Sequence, residues 1–359
     1  MTLRLIEGFD YLPTSSNTAT VERLLAALGW YAFGGTSPSI VATGRFGGKA
    51  VSWGSQVISS PMGAVDLGGD PIEAGFVGFA MSTTTGGWYI SLVSSASSPV
   101  SGFGGNGTIC TIEMTGLGVI KVLNGTPDNG TVIINSRARV LPLGEFFYVE
   151  IGWDLGAGIL VVRVNTVPII SLTSSSFVNP HSFGNVDAIG FGSLPSGGVH
   201  QIDDMYVCDA LGTDNNDFLG NVRAQWLPLA SNLSTQWTSY NVSVANFTAA
   251  SNSNVDDTSY VKTSIDNDGY VDLYNVSPMA NTGVVFGVAV KGAYRQDDAR
   301  QGFVKNAISS SGVQALGARY PTNTNYGFSI DIFETDPNTS SGWTYTTVNA
   351  MAIGPEQSS

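Results

Sequence analysis

A chain of 359 residues with 28 acidic and only 15 basic side chains has a formal charge of −13, which excludes a phosphate-tracking surface and disfavours docking on an anionic membrane. Hydrophobic residues make up 43% and charged residues only 12%, so two cores can form while solubility rests on Ser, Thr, Asn and 44 glycines. No apolar run approaches the length of a bilayer span.

The N-terminal "MTLRLIEGFDYL" reads as a strand and lacks the apolar centre of a signal peptide. In "NTATVERLLAALGW", Val21, Leu24, Leu25 and Leu28 recur at the spacing of one helix face. This predicts one short helix, capped by Asn17, Thr18 or Thr20, stopped at Gly29, and packed over a sheet edge. Almost everything else reads as strand and turn. "GKAVSWGS", "AGFVGFAMS", "GGWYISLVSS", "GTICTIEMT", "GVIKVLNG", "TVIINSR", "EFFYVEIGWDL", "GILVVRVNTVPIISL", "VDAIGFGS" and "QIDDMYVCD" follow at short intervals, divided by Gly, Asn, Asp and Pro. A second series, from "AQWLPLA" through "SYVKTSI", "GYVDLYNVS", "TGVVFGVAVKGAYR", "GFVKNAIS", "GVQALGARY" and "YGFSIDIFE" to "GWTYTTVNAMAIG", repeats the style. The polar run 231–259 reads as a loop over the sheet or a contact arm. The expectation is an all-β protein of two β-sandwich, jelly-roll-like domains, 1–209 and 222–359, joined by a linker at 210–221.

Cys110 and Cys208 read as thiols on strands, the alternative being one disulfide clamping two strands of a single domain. Neither has a neighbouring CxxC or His, so a metal site on them is not expected. N-x-S/T triplets begin at Asn106, Asn124, Asn129, Asn232, Asn241, Asn246 and Asn338, three of them NGT turns. An exterior-type composition without an export signal fits a protein released by lysis, such as a virion part.

The ordered set "GRFGGKAVSW" (44–53), "AGFVGFAM" (74–81), "FFYVEIGWD" with "GILVVRVNTVPI" (146–169) and "IDDMYVCD" (202–209) resembles the laminin-G or concanavalin A-like lectin/glucanase jelly roll. It covers about the first 208 residues. Asn165-Thr166 stands where that family has Asn-Gly, so this hairpin turn is expected to differ. The continuation "GTDNNDFLGNVRAQWLPL…DDTSY…GYVDLY" and the ending "DPNTSSGWTYTTVNAMAIG" resemble tailed-bacteriophage virion proteins. That resemblance implies a structural component of tail, fibre or head surface and supplies no catalytic residue.

Glycan hydrolases on this jelly roll carry E-x-D-x-x-E on one strand, aiming carboxylates about 5–5.5 Å apart into one cleft for retention. Here Glu150 and Asp154 flank Gly152, and the middle carboxylate is missing; Asp203 and Asp204, being adjacent, are expected on opposite faces. Ser196, His200 and Asp203 could form a triad on paper, but no nucleophile elbow marks the serine, and His200 is expected in a loop entering the closing strand. The other histidine is His181. No catalytic site is therefore expected. Calcium is the one cofactor left open. Asp209, Asp214 and Asp217, with Asn215 and Asn216, could supply oxygen ligands, although a linker also uses Asn and Asp for its turns. "DNDG", with Asp266, Asp268, Gly269 and Asp272, reads more simply as a hairpin turn. Trp88, Trp237 and Trp343 lie beside turns; Trp88 and Trp237 are candidate platforms for a sugar ring, while Trp53 and Trp153 read as core.

The leading expectation is a structural virion protein of a tailed bacteriophage, located in the virion and acting by assembly with other virion proteins and as a homo-oligomer. Edges such as "GFVKNAIS" would be covered by neighbouring chains. The alternative is a carbohydrate-binding adhesin module recognising host surface glycan. Nucleic acid and membrane insertion are not expected.

Overall fold

The computed structural model describes residues 2–358 apart from 32–36, 55–59, 68–70, 95–106, 138–139, 174–183, 195–197, 241–242, 252–254, 256, 280–281 and 298–299. His181 and Ser196 lie outside the described residues. The chain is all-β, and it forms two units, Met1–Ala224 and Gln225–Ser359. Among the described residues no helix is long and apolar enough to cross a membrane.

In the first unit, alternation along the strands builds two antiparallel sheets that share one core. The front sheet runs Val167–Thr173, Ile159–Val164, Phe146–Asp154, Ala74–Thr83, His200–Asp209, Ala50–Trp53, Ser39–Val41, with Leu3–Glu7 also paired to His200–Asp209. The back sheet runs Thr131–Asn135, Ile120–Asn124, Thr108–Met114, Trp88–Val93, Ala188–Ser193, Ser60–Asp66, Trp30–Tyr31. Phe79 of the front sheet meets Trp88 and Phe191 of the back sheet edge-on, at 5.9 and 5.3 Å between centroids. The helix Thr18–Ala27 forms as its spacing predicts. Asn17 caps it by accepting from Thr20 N, it buries Val21, Leu24 and Leu25, and it lies beside the edge strands Trp30–Tyr31 and Ser39–Val41.

The Asn165-Thr166 turn does not depart from the two-residue form expected of Asn-Gly. Asn165 and Thr166 both adopt positive φ, +48° and +69°, between the paired Val164 and Val167. Asn165 Oδ1 accepts from Tyr148 N at 2.8 Å, and this bond fixes the turn despite a β-branched residue in the left-handed region.

The second unit has a six-stranded sheet, in order Leu229–Ser234, Leu273–Val276, Met351–Ser358, Gly302–Ser310, Val313–Leu316, with Tyr320–Thr322 also on Gly302–Ser310. The ribbon of Val288–Tyr294 and Gly327–Phe333 packs on it, and Val276, Val290, Ile308, Trp343, Val348 and Met351 fill the space between. "GFVKNAIS" is therefore a central strand and not an edge, because three strands pair with it. Two short helices depart from the strand-and-turn expectation, Asn246–Ala250 within the polar run and Tyr345–Asn349 at the end. The second is started by a capping box between Thr344 and Thr347, which a run of β-branched residues disguises as strand.

Candidate functional site

The outer face of the front sheet is set by register. Glu150 lies opposite Gly78 on one side and Arg163 on the other, and Tyr206 lies opposite Gly78. Alternation puts Phe79 in the core, so Gly78, Glu150, Gly152 and Tyr206 face outward. They are nevertheless buried. The segment expected as a linker at 210–221 is part of the first unit and returns across this face. Tyr206 OH and Gly220 N both donate to Glu150 Oε1, at 2.7 and 2.8 Å, and Leu219 N donates to Tyr206 Oη at 3.1 Å. Phe218 packs edge-on against Phe76 at 4.8 Å, under the Arg163 guanidinium at 3.7 Å. Glycines make the room: a Cβ at Gly78 would collide with the Tyr206 ring, and one at Gly152 would lie 2.6 Å from Phe218. Burial, then the Glu150 carboxylate, pushes the Tyr206 phenol far above its ordinary pKa, so it stays a donor. Glu150, 0% exposed, is thus sealed beneath the returning segment.

One end of that segment is held by Arg45. A bulge between Asp203 and Tyr206, with Asp204 at φ +48°, breaks the alternation that adjacency implies. Asp203 and Asp204 consequently do not diverge; both turn to Arg45. Asp203 Oδ2 accepts from Arg45 N at 2.8 Å, and Asp204 Oδ2 faces Arg45 Nη1 at 3.2 Å. Arg45 also donates to Val222 O at 2.8 Å and to Asn221 Oδ1, while Ala224 N donates to Asp204 Oδ1 at 2.8 Å. "GRFGG" forms the 3-10 turn Arg45–Gly47 ahead of the strand Ala50–Trp53. It holds Phe46 at φ +57° and leaves that residue 60% exposed. His200 begins the strand His200–Asp209 and is buried, not in a loop. Thr83 Oγ1 meets its Nδ1 at 3.0 Å, Trp53 lies against its ring, and burial lowers its pKa to about 4.

The calcium candidates are not brought together. Asp209 is buried against Arg4 at 2.8 Å, Asp217 Oδ1 accepts from Phe218 N at 2.7 Å, and Asp214 is exposed, with Thr213 Oγ1 donating to it. These carboxylates stabilise turns and an ion pair. Among the described residues no three His, Cys, Asp or Glu side chains converge as a cation site. In "DNDG", Asp266 pairs with Arg300, and the flanking strands Val261–Lys262 and Leu273–Val276 pair elsewhere, so the turn closes no hairpin. Asp272 is a buried anchor: Gln236 N and Trp237 N donate to Oδ1 at 2.6 and 2.7 Å, and Asn246 Nδ2 and Tyr274 OH to Oδ2, each at 2.7 Å. Cys110 and Cys208 are buried thiols not joined in a disulfide, one in each sheet of the first unit.

Trp88 is 0% exposed and forms core, so it offers no face to a sugar; Trp343, 4% exposed, is also core. Trp53 and Trp153 are buried as expected. Trp237 is half-buried and donates through its indole to Tyr270 O at 3.0 Å. The polar lining lies in its neighbours. Gln236, Thr238, Lys262, Thr263, Ser264 and Asn267 line an open pocket of about 340 Å³ in the second unit. The short pairing of Thr238–Ser239 with Val261–Lys262 builds one wall, and Tyr240 and Tyr260 stack just beyond it, centroids 4.5 Å apart. The signal for this pocket in the sequence is the polar run itself, which mixes aromatics with amides and hydroxyls.

No family model matches the chain, and no curated protein matches it. Among solved structures it is similar to a sialidase at 12% identity, covering 58% of this chain and 18% of that one with a TM-score of 0.39. It is similar to lectin II from Ulex europaeus at 13% identity, covering 57% and 97% with a TM-score of 0.36. A third likeness is to the carbohydrate-binding module CBM66 from Bacillus subtilis, at 9% identity, covering 50% and 91% with a TM-score of 0.30. The chain thus spans less than a fifth of the sialidase's length.

Proposed function

We propose that this chain is a carbohydrate-binding protein that holds glycan in the pocket of the second unit. The observation that carries this reading is the lining. Three hydroxyls (Thr238, Thr263, Ser264), two amides (Gln236, Asn267) and one ammonium (Lys262) converge there, and among the described residues no carboxylate lines it. Such a set can donate to and accept from the hydroxyls of a pyranose, which both offer and take hydrogen bonds. Asp272 preorganises the wall by fixing Gln236 N and Trp237 N, so little ordering is left for the bound state. The mechanism is binding without turnover. A glycan array probed with the intact chain tests it: specific binding should appear and fall at least about tenfold in Thr238→Ala and Asn267→Ala, the loss of a few hydrogen bonds. Absence of any glycan signal, or binding indifferent to both changes, refutes it.

The second reading is a structural component of a tailed-phage virion that assembles with copies of itself or with other virion proteins. It is favoured by the edge strand Val313–Leu316, which exposes Val313 (43%) and Leu316 (41%) beside unpaired backbone. Light scattering tests it: an oligomer dispersed by Val313→Lys with Leu316→Lys supports assembly, and a monomer at high concentration counts against it.

A further inference from the structure

The GRFGG turn presents a feature that packing does not require. Phe46 lies in the left-handed region, where a residue with a Cβ is strained, and its ring stands in water. The surroundings enforce this conformation. Gly44 N donates to Gly48 O at 2.9 Å, Arg45 N to Asp203 at 2.8 Å and Lys49 N to Asp10 Oδ1 at 2.6 Å. A Cβ at Gly44 would collide with Lys49 O, and one at Gly48 with Asp10 Oδ1, so only glycine fits on either side.

Two guanidinium groups stand over the Phe46 ring, Arg45 at 4.4 Å and Arg223 at 4.9 Å from its centroid. They are not equivalent. Arg45 spends its donors on Asp204, Val222 and Asn221. Arg223 is exposed; it acts on the buried Asp204 carboxylate through space, but among the described residues no direct ion pair takes up its guanidinium, in a chain where acidic residues outnumber basic ones. Asn221, also exposed, uses Oδ1 toward Arg45 and keeps its amide nitrogen for another acceptor. The result is a rigid apolar ring from the 44–48 turn, with a planar cation and an amide donor from the 221–223 segment beside it, on one exposed patch of the first unit.

We propose that Phe46, Arg223 and Asn221 form a second binding site, for a saccharide that carries a carboxylate. The carboxylate meets the guanidinium fork in two parallel hydrogen bonds, the C–H face or edge of the sugar rests on the phenyl, and a ring hydroxyl accepts from Asn221 Nδ2. A long polyanion such as a nucleic acid is disfavoured by the net charge of −13, whereas a short acidic oligosaccharide brings only a few charges; an acidic peptide would want the apolar groove that an isolated ring does not provide. The site is independent of the pocket in the second unit.

Calorimetric titration of the intact chain with trigalacturonate, and with its neutral counterpart galactotriose, tests the proposal. Trigalacturonate should bind at least tenfold more tightly than galactotriose, and Phe46→Ala and Arg223→Gln should each weaken it at least tenfold. Arg223 is exposed, so Arg223→Gln stays folded and remains decisive if Phe46→Ala does not. Equal binding of the two sugars, or affinity for trigalacturonate unchanged in both variants, overturns the proposal. Loss of that affinity in Thr238→Ala but not in Phe46→Ala overturns it too, by moving the acidic sugar to the pocket. Tighter binding of a poly-glutamate peptide than of trigalacturonate assigns the site to acidic protein and overturns the saccharide.

Discussion

Replacing Arg45 by Met should detach the returning segment from the front sheet. The Arg45 side chain is 12% exposed and that of Asp204 4%, so their ion pair is essentially out of water. Breaking a buried pair by removing one partner costs about 3–5 kcal/mol, because the remaining charge stays buried without its counter-ion. Here Asp204 keeps one donor, Ala224 N, and Met fills most of the vacated volume, which places the loss at the lower end, about 3 kcal/mol. Val222 O and Asn221 Oδ1 also lose their donor, and the segment should open locally before the unit unfolds. Urea unfolding followed by tryptophan fluorescence reads the total, and amide exchange over 218–224 reads the local part. Arg45→Met combined with Asp204→Asn should recover at least half of the loss, since no charge is then stranded. A loss below about 1 kcal/mol, or no recovery in the double variant, would refute the reasoning by showing that packing rather than charge holds the segment.

Two buried groups give the first unit opposing pH slopes. Burial lowers His200 from 6.5 to about 4, so the unfolded chain takes up a proton that the folded one refuses, and stability falls as pH drops from about 6.5 to 4. Burial, then Asp204, raises Asp203 from 3.8 to about 8, so stability falls as pH rises from about 4 to 8; burial raises Asp204 too, with a slope of the same sign, and above 6.5 the histidine slope has ended. Melting temperature should therefore decline between pH 6.5 and 8, and Asp203→Asn should at least halve that decline; a decline unchanged in the variant assigns it elsewhere. Thr166→Gly should stabilise by about 0.5–1 kcal/mol, as strain at φ +69° is relieved on an exposed turn and partly offset by unfolded-chain entropy, and a lower melting temperature would contradict it. Gly152→Ala should cost about 1–3 kcal/mol by forcing Phe218 away from Phe76, and adding Phe218→Leu should restore part of it; chemical denaturation of the single and double variants decides.

Patterns that live within one element are legible in the amino-acid sequence alone. The spacing of Val21, Leu24, Leu25 and Leu28, with Asn17 ahead and Gly29 behind, determined the helix Thr18–Ala27, since face and caps are local properties. Short alternating runs between glycines determined an all-β chain and the strands Phe146–Asp154 and His200–Asp209. Trp53 and Trp153 read as core because they interrupt nothing in a strand pattern. Trp88 does the same from the first position of its strand, and proximity to a turn hid that its ring points inward to Phe79.

Tertiary structure alone decided where the polar side chains go. "DALGTDNNDFLG" has the composition of a linker, yet it closes over the front sheet, where the backbone N–H groups of Leu219 and Gly220 supply donors to the buried Tyr206 and Glu150. Asp203 and Asp204 share Arg45 because a bulge inserts one residue, and nothing in "IDD" announces it. Asp272, read with the "DNDG" turn, instead takes donors from segments as far as 36 residues away, which no local pattern shows. "GRFGG" shows the division most clearly. Its glycines foretell a turn, but the exposure and strain of Phe46 and the arrival of Arg223 beside it depend on chain segments brought together only by the fold.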